Sequence, residues 1–387
     1  MVLVARQTDP TTFGAVSVAL LAHGLLLGVV RAAIGEIVLL RCRADRSTTR
    51  DEACRGLFLA LLAGAAVALG LVAAAAVVGG DVGYFLLLMA LAAPLVYGQD
   101  LIRYVAYGAG RVDQAVLVDG VWLMVQVAMS AVLLAAGEAT PTRLILAWVL
   151  GAGAGAVAVA SYRRLWPRPM AVRRWWIEER ARTSGFLADF LVSNGMWQGS
   201  LLLLGAVLPL AEIGALRVAN ASVHPLANLL AGVRTLILAH LAGLRARPAR
   251  AYRRATQLGL VLAGAAALYG ACLVLLPDSW GSELFGETWA EAAALIGIVA
   301  AGEVLRLPTF AAIDVVKVLG GPRDLVRTRL TGGVGVVAGL LVGGIVAGAR
   351  GAAIGAAVGY ALNQAIWWRK ARALSRLPAS RPKAVPA

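Results

Sequence analysis

Residues 56–79 read GLFLALLAGAAVALGLVAAAAVVG, twenty-four residues without a single charged side chain. A helix needs about 20 apolar residues to cross the hydrocarbon core of a bilayer. Only helices and closed barrels satisfy their own backbone in lipid, so the sequence predicts an all-α polytopic membrane protein with about eleven transmembrane helices. The eleven apolar segments are 13–40, 56–79, 83–107, 115–137, 144–161, 184–209, 214–244, 255–276, 290–316, 330–348 and 351–368.

The distribution of positive charges predicts how the chain is oriented in the membrane. The sequence is 60% hydrophobic and carries a net charge of +15. Of its 36 Lys and Arg residues, 28 fall in every second gap between apolar segments or in the C-terminal tail. Loops rich in Lys and Arg stay cytoplasmic, so we expect a cytoplasmic C-terminus. This topology signal accounts for the charge, and nucleic acid is therefore not expected as a partner, whereas anionic membrane lipids are.

Two halves of the chain share sequence patterns. Phe-Gly-Ala at 13–15 recurs as Ile-Gly-Ala at 213–215, and Pro-x5-Asp-x2-basic occurs at 94–103 and again at 308–317. The paired segments cross the membrane in the same direction, which predicts parallel repeats related by an axis along the membrane normal. The expected divisions are an N-terminal bundle of about five helices at 1–165, a basic cytoplasmic linker at 166–183, a C-terminal bundle of six helices at 184–370 and a basic cytoplasmic tail at 371–387.

Parallel repeats need an even number of helices in each half. The second half has six apolar segments and the first has five. We therefore interpret Met1–Arg6 as the end of a missing first helix. Either the start of the gene is misassigned or the protein lacks that helix.

The order Val-Leu-Val-Ala-Arg6, Phe13-Gly14 and Arg31 resembles polysaccharide (O-antigen) flippases of the Wzx type, in the MATE-like multidrug/oligosaccharidyl-lipid/polysaccharide (MOP) exporter superfamily. The stretch LFGETW at 284–289 resembles the external loop before the third helix of that family's second half. The resemblance implies two helical bundles around a central cavity that move a lipid-linked saccharide by alternating access. It further implies an anionic polyprenyl-linked saccharide as the substrate, with glycosyltransferases or a polymerase of the same pathway as partners.

Charged side chains inside apolar segments cost about 2.5–3.5 kcal/mol each on insertion scales, so they need a partner or a water-filled cavity. Arg31 and Arg234 are repeat-related, and three interpretations remain open. They line a cavity and bind an anionic group, they snorkel to the interface, or they form buried pairs. Arg217, Asn220 and His224 share a helix face and predict either a substrate path or a polar seam packed against another helix. These five are the candidate substrate-binding residues.

Three acid–base pairs at i,i+3 spacing are candidates for a gate. This spacing allows an ion pair on one helix. Each pair either fixes the depth of its helix or opens when the cavity opens. The pairs are Asp100 with Arg103, Glu303 with Arg306, and Asp314 with Lys317.

The sequence contains no motif for catalysis, for a metal site or for a cofactor, so we expect a transporter of the bacterial cytoplasmic membrane and no enzyme. The first hypothesis is a flippase for a lipid-linked oligosaccharide or polysaccharide precursor. The alternatives are a cation-coupled multidrug exporter of the same fold, using Asp119 or Asp189, and a non-transporting scaffold of cell-envelope synthesis.

Gly-x3-Gly-x3-Gly at 351–359 predicts close helix packing within the chain, with homodimerisation as the alternative.

Overall fold

A computed structural model describes residues 2–44, 49–169 and 172–376. Every regular element in these residues is helical. Two π-helical turns, Arg31–Gly35 and Leu191–Gly195, each join two consecutive α-helices. The helices are α1 (Val2–Arg6), α2 (Pro10–Val30), α3 (Glu36–Ala44), α4 (Thr49–Val78), α5 (Gly80–Gly108), α6 (Val112–Ala135), α7 (Pro141–Arg163), α8 (Val172–Phe190), α9 (Met196–Gly205), α10 (Leu210–Ala242), α11 (Pro248–Val274), α12 (Asp278–Phe285), α13 (Thr288–Arg306), α14 (Thr309–Leu319) and α15 (Pro322–Ser375).

Each predicted apolar segment lies on helices, several of which begin well before the segment, so the all-α polytopic fold is confirmed. Among the described residues, eight helices are long and apolar enough to cross a membrane, and α15 counts as one of them although it is broken at Ala347 and Gly348. Polar residues end the loops where the helices begin. Asp9 accepts hydrogen bonds from the backbone N–H of Thr11 and Thr12 at 2.9 and 3.0 Å, which satisfies donors at the start of α2.

Contacts between Cα atoms divide the chain into two compact units, Met1–Leu202 and Leu203–Ala387. The predicted linker at 166–183 is helical in its second part, because α8 begins at Val172. The physical reason is a stripe at i,i+4,i+8 on α8, where Trp175, Glu179 and Thr183 are buried. A segment with that spacing gains by folding as a helix against the rest of the unit.

In the first unit, α5 is the central helix. It packs against α2, α3, α4, α6 and α7, and most of its side chains from Tyr97 to Ile102 are buried, including Gln99 and Asp100. Gly64 of α4 permits close approach to it, because a Cβ there would lie 2.7 Å from the Cα of Pro94. A central helix that buries polar side chains places them where helices from several directions can supply partners.

In the second unit, α13 and α14 are the central helices. They pack against α10, α11 and α15, and the core around α14 is built from small and aliphatic side chains with Trp367. The repeated Pro-x5-Asp motif places its acid similarly in both units, although Pro94 lies within α5 and Pro308 lies between α13 and α14. Asp100 and Asp314 are both buried, and each has its basic neighbour within 3.4 Å and 3.7 Å respectively.

The two parts of α15 form a hairpin whose backbones touch. Gly348 has φ +61°, a conformation that favours glycine, and it sits at the turn. The carboxylate of Glu212 accepts a hydrogen bond from the N–H of Ala349 at 2.5 Å and so caps the second part of α15. At the opposite end, Lys370 Nζ lies 2.6 Å from Asp324, and this hydrogen bond holds the pKa of Asp324 below its ordinary value.

Glycines line the inside of this hairpin. A Cβ on Gly355 would overlap the carbonyl oxygen of Gly339, and a Cβ on Gly351 would overlap that of Gly343. A Cβ on Gly359 would lie 2.5 Å from the Cα of Val336. The predicted close packing within the chain is thus observed, and we call these paired positions the glycine ladder.

Candidate functional site

Arg31 opens the π-helical turn that interrupts the long second helix. Its Nε and Nη2 each donate to one carboxylate oxygen of Asp100 on α5, both at 2.7 Å. The side chain of Asp100 is 5% exposed and that of Arg31 is 39% exposed. Such a two-bond fork between guanidinium and carboxylate is both strong and geometrically specific. π-helical turns are rare and occur often at functional positions.

The pair belongs to a larger network of three helices. Arg103 Nη1 lies 3.4 Å from Asp100, and Arg103 Nε lies 3.3 Å from Asp119 of α6. Gln99 Nε2 donates to the other oxygen of Asp119 at 3.1 Å. Two arginines therefore face two aspartates, and the network carries no net charge.

This geometry bears on the interpretations left open for Arg31. Its guanidinium is paired rather than free, because Asp100 occupies two of its nitrogens. Arg31 lies nine residues before the end of its predicted apolar segment and Asp100 seven, which places both about 10–14 Å inside. At that depth a paired charge is far less costly than a single one. The ion pair favours a structural role for Arg31, and its binding of substrate stays a prediction. Asp100 bonds mainly to Arg31 rather than to Arg103.

Next to this network is a buried aromatic group. The His23 ring is 3% exposed and lies 5.4 Å from the Tyr97 ring and 5.8 Å from the Trp148 ring. Among the described residues neither nitrogen of His23, nor the hydroxyl of Tyr97, has a hydrogen-bond partner. These contacts pack α2 against α5 and α7 next to the charged network.

Arg217 differs from the other membrane arginines. Its Nε is buried, and no described residue supplies it with a hydrogen bond. Arg31, Arg103 and Arg306 all lie within 3.4 Å of a carboxylate, but no described carboxylate pairs with Arg217. Because an arginine keeps its charge at any physiological pH, Arg217 is a positive charge in an apolar segment that no described carboxylate compensates.

The predicted polar stripe continues from Arg217 along α10. Asn220 Nδ2 donates to the carbonyl of Leu216 at 2.7 Å, and His224 Nδ1 lies 2.6 Å from the carbonyl of Asn220. Both side chains thus bond to their own helix, and His224 is exposed. The backbone of Arg234 lies in α10, but its side chain is outside the described residues.

All three candidate gate pairs are formed, Asp100 with Arg103 in the first unit and the other two in the second. Arg306 Nε and Nη2 donate to the carboxylate of Glu303 at 2.9 and 2.7 Å, and the guanidinium lies 5.4 Å from the centre of the Phe310 ring. Lys317 Nζ lies 3.7 Å from the fully buried Asp314. The geometry places these ion pairs within helices, and whether they open during a cycle stays a prediction.

Sequence reasoning missed two contributors, Gln99 and Glu212. Gln99 precedes Asp100 directly, and two adjacent polar residues inside an apolar segment are a usable signal for a buried network. Glu212 contacts Ala349 across 137 residues, and no local pattern indicates that pairing. Its signal exists only in the tertiary structure.

Comparison with known proteins supports the fold. No protein-family model and no curated protein sequence matches the chain. An inward-facing multidrug resistance MATE family transporter of the MOP superfamily matches 96% of this chain and 92% of its own, at 13% identity and a TM-score of 0.66. The lipid II flippase MurJ in an inward closed conformation matches 97% and 88%, at 7% identity and a TM-score of 0.68.

An outward-facing MATE transporter of the same superfamily matches 97% of this chain and 91% of its own, at 14% identity and a TM-score of 0.58. These identities are too low to carry over a substrate or a residue role. The resemblance of the sequence to the MOP superfamily is confirmed at the level of the fold. This all-α, multi-pass membrane chain has the MATE-like fold found in multidrug transporters and in the MurJ flippase.

Proposed function

We propose that the chain is an alternating-access transporter that moves an anionic, lipid-linked saccharide across the bacterial cytoplasmic membrane. The fold is one that transporters and a flippase use. The observation that carries the substrate class is Arg217, a membrane arginine with no described carboxylate partner. Its planar guanidinium is suited to a phosphate or pyrophosphate group, which it can bind through two donors at once.

The neighbours of Arg217 fit this role. Asn220 and His224 follow it on the same face of α10, and both can offer polar atoms to a sugar or phosphate once their local hydrogen bonds exchange. Arg31 has no such freedom, because Asp100 holds it. The substrate-binding proposal therefore rests on Arg217, Asn220 and His224 of the second unit. Arg234 stays a candidate from sequence.

A cation-coupled multidrug exporter is the second candidate function. The observation in its favour is that the side chain of Asp119 is 43% exposed while it sits at the edge of a charged network. A cation could compete there with Arg103 and Gln99 for the carboxylate. If Asp119→Asn abolishes drug resistance in cells and leaves saccharide export unchanged, this second function replaces the first.

Replacing Arg217 by Ala is expected to weaken binding of a polyprenyl pyrophosphate to the purified chain by about tenfold or more, because hydrogen bonds to charged groups contribute roughly 1.5–3 kcal/mol. Arg217→Lys keeps the charge without the fork, so an intermediate affinity is expected. Binding is measured by titration in detergent, and export is measured in cells that depend on the transporter.

The matched control is Arg350→Gln, which removes an exposed arginine from the same unit. It is expected to leave binding within about twofold of the wild type, since exposed charges contribute little. Unchanged binding in Arg217→Ala would contradict the substrate assignment. Equal losses in both variants would show that net charge, and not a site on α10, determines affinity.

A further inference from the structure

Helix α8 lies on the surface of the first unit and contacts it through one stripe of side chains. Trp175, Glu179 and Thr183 are buried, and the other side chains between 172 and 185 are exposed. Glu179 accepts a hydrogen bond from Arg41 Nε of α3 at 3.0 Å, and Thr183 contacts the carbonyl of Ala33 at 3.5 Å. This attachment leaves most of the circumference of α8 available for another partner.

On one flank of α8 the charges are already paired. Arg174 Nε donates to Glu178 at 2.9 Å, and Arg182 Nη1 lies 3.3 Å from Glu179. The hydrogen bond from Arg174 holds the pKa of Glu178 below its ordinary value, with a further contribution from Arg41. This flank therefore offers no free positive charge.

The opposite flank has a different composition. Arg173, Trp176, Ile177 and Arg180 are spaced i,i+3,i+4,i+7 and share one face. Trp176 is 50% exposed and Ile177 is 52% exposed. Arg173 and Arg180 are exposed and have no carboxylate partner among the described residues. Two unpaired guanidinium groups beside two exposed apolar side chains are typical of a helix face that lies in the membrane interface.

The position along the chain agrees with this composition. The apolar segment of this helix begins at 184, so Arg180 and Trp176 lie about 6 and 12 Å beyond it along the axis. The polar headgroup layer is roughly 5–7 Å thick on each side of the bilayer. Because about 12 Å exceeds that thickness, the face reaches the headgroups when this end of α8 lies close to the membrane plane, as interfacial amphipathic helices do.

We propose that the face formed by Arg173, Trp176, Ile177 and Arg180 is a docking surface for anionic phospholipids. The two guanidinium groups bind headgroup phosphate, for which Arg offers paired donors. Trp176 and Ile177 enter the boundary between headgroups and acyl chains. Charge complementarity selects this partner, because the face carries two positive charges and no acid. The proposal is independent of the transported substrate.

The test uses the purified full chain in detergent, titrated with phosphatidylglycerol or phosphatidylcholine, with bound lipid counted by native mass spectrometry. Each basic residue near an anionic surface strengthens binding about fivefold. Arg173→Gln with Arg180→Gln is therefore expected to weaken phosphatidylglycerol binding by about thirtyfold and to leave phosphatidylcholine unaffected. Arg173→Lys with Arg180→Lys keeps the charge without the paired donors, so it is expected to bind more tightly than the Gln variant and less tightly than the wild type. That partial recovery shows that charge rather than folding is responsible.

The matched control removes two exposed arginines from α11, Arg250→Gln with Arg253→Gln. Unchanged phosphatidylglycerol binding in this control supports a site on α8. Equal losses in both double variants, or no loss in either, overturn the proposal. Glycerophosphate without a lipid chain separates a lipid surface from a free phosphate site. If it competes as well as the intact lipid, the face binds soluble anions and the lipid assignment is wrong.

Discussion

Gly355→Leu is expected to abolish folding of the terminal hairpin, with a loss of about 3 kcal/mol or more of unfolding free energy. The atom that a new side chain meets is the backbone carbonyl of Gly339. A flexible side chain could move aside, but a helix backbone cannot. Glycine at such a contact allows helices in lipid to approach closely enough for dispersion forces to hold them. Thermal unfolding in detergent measures the effect.

Gly335→Leu serves as the control for the glycine ladder. It lies on the same helix, and a Cβ there meets nothing within 4 Å. We expect it to change the unfolding temperature little. If both variants unfold at the wild-type temperature, the ladder does not hold the hairpin together. If both destabilise equally, the loss comes from the larger side chain and not from the interhelical contact.

Asp100→Ala is expected to cost about 3 kcal/mol of unfolding free energy, because it leaves Arg31 without its carboxylate inside the membrane. Arg31→Ala is expected to destabilise similarly, since Asp100 then keeps only Arg103 at 3.4 Å. Chemical denaturation of the purified variants measures both. The effect is large because Asp100 is buried and each member of the pair is the other's main partner.

The double variant Arg31→Ala with Asp100→Ala, which combines the two single changes, distinguishes pairing from packing. Removing both charges together is expected to cost clearly less than the sum of the single losses. Arg143→Gln breaks an exposed pair with Glu138 and provides the control, with an expected loss of about 0–1 kcal/mol. Single losses that simply add in the double variant would contradict the ion pair.

The fold could be predicted largely from the sequence because lipid imposes a strong constraint. Each apolar segment long enough to cross a bilayer must be a helix, and the structure has helices at those positions. The glycine spacing at 351–359 also predicted close packing within the chain. Segment length and glycine spacing are local features, so they can be read from a single sequence.

The candidate site was harder to predict from the sequence, because residues that pair across different helices leave no local sequence pattern. Asp100 and Arg103 are three residues apart, and the sequence suggested that they pair. The main partner, Arg31, is 69 residues away. The start of α8 was assigned to a linker for a similar reason. The basic residues at 166–183 predicted a linker, and the contact of Glu179 with Arg41 of α3 leaves no local signal there.

The transport proposal is tested most directly by the accessibility of Asn220→Cys from the two sides of the membrane. The variant is made in a chain whose own cysteines, Cys42, Cys54 and Cys272, are replaced by Ala. A membrane-impermeant thiol reagent is applied to intact cells and to inverted vesicles. Alternating access predicts labelling from both sides, with lipid-linked saccharide slowing the reaction in wild-type Arg217 and not in Arg217→Ala. A cysteine that reacts from neither side, or that the saccharide never protects, would contradict transport through this face of α10.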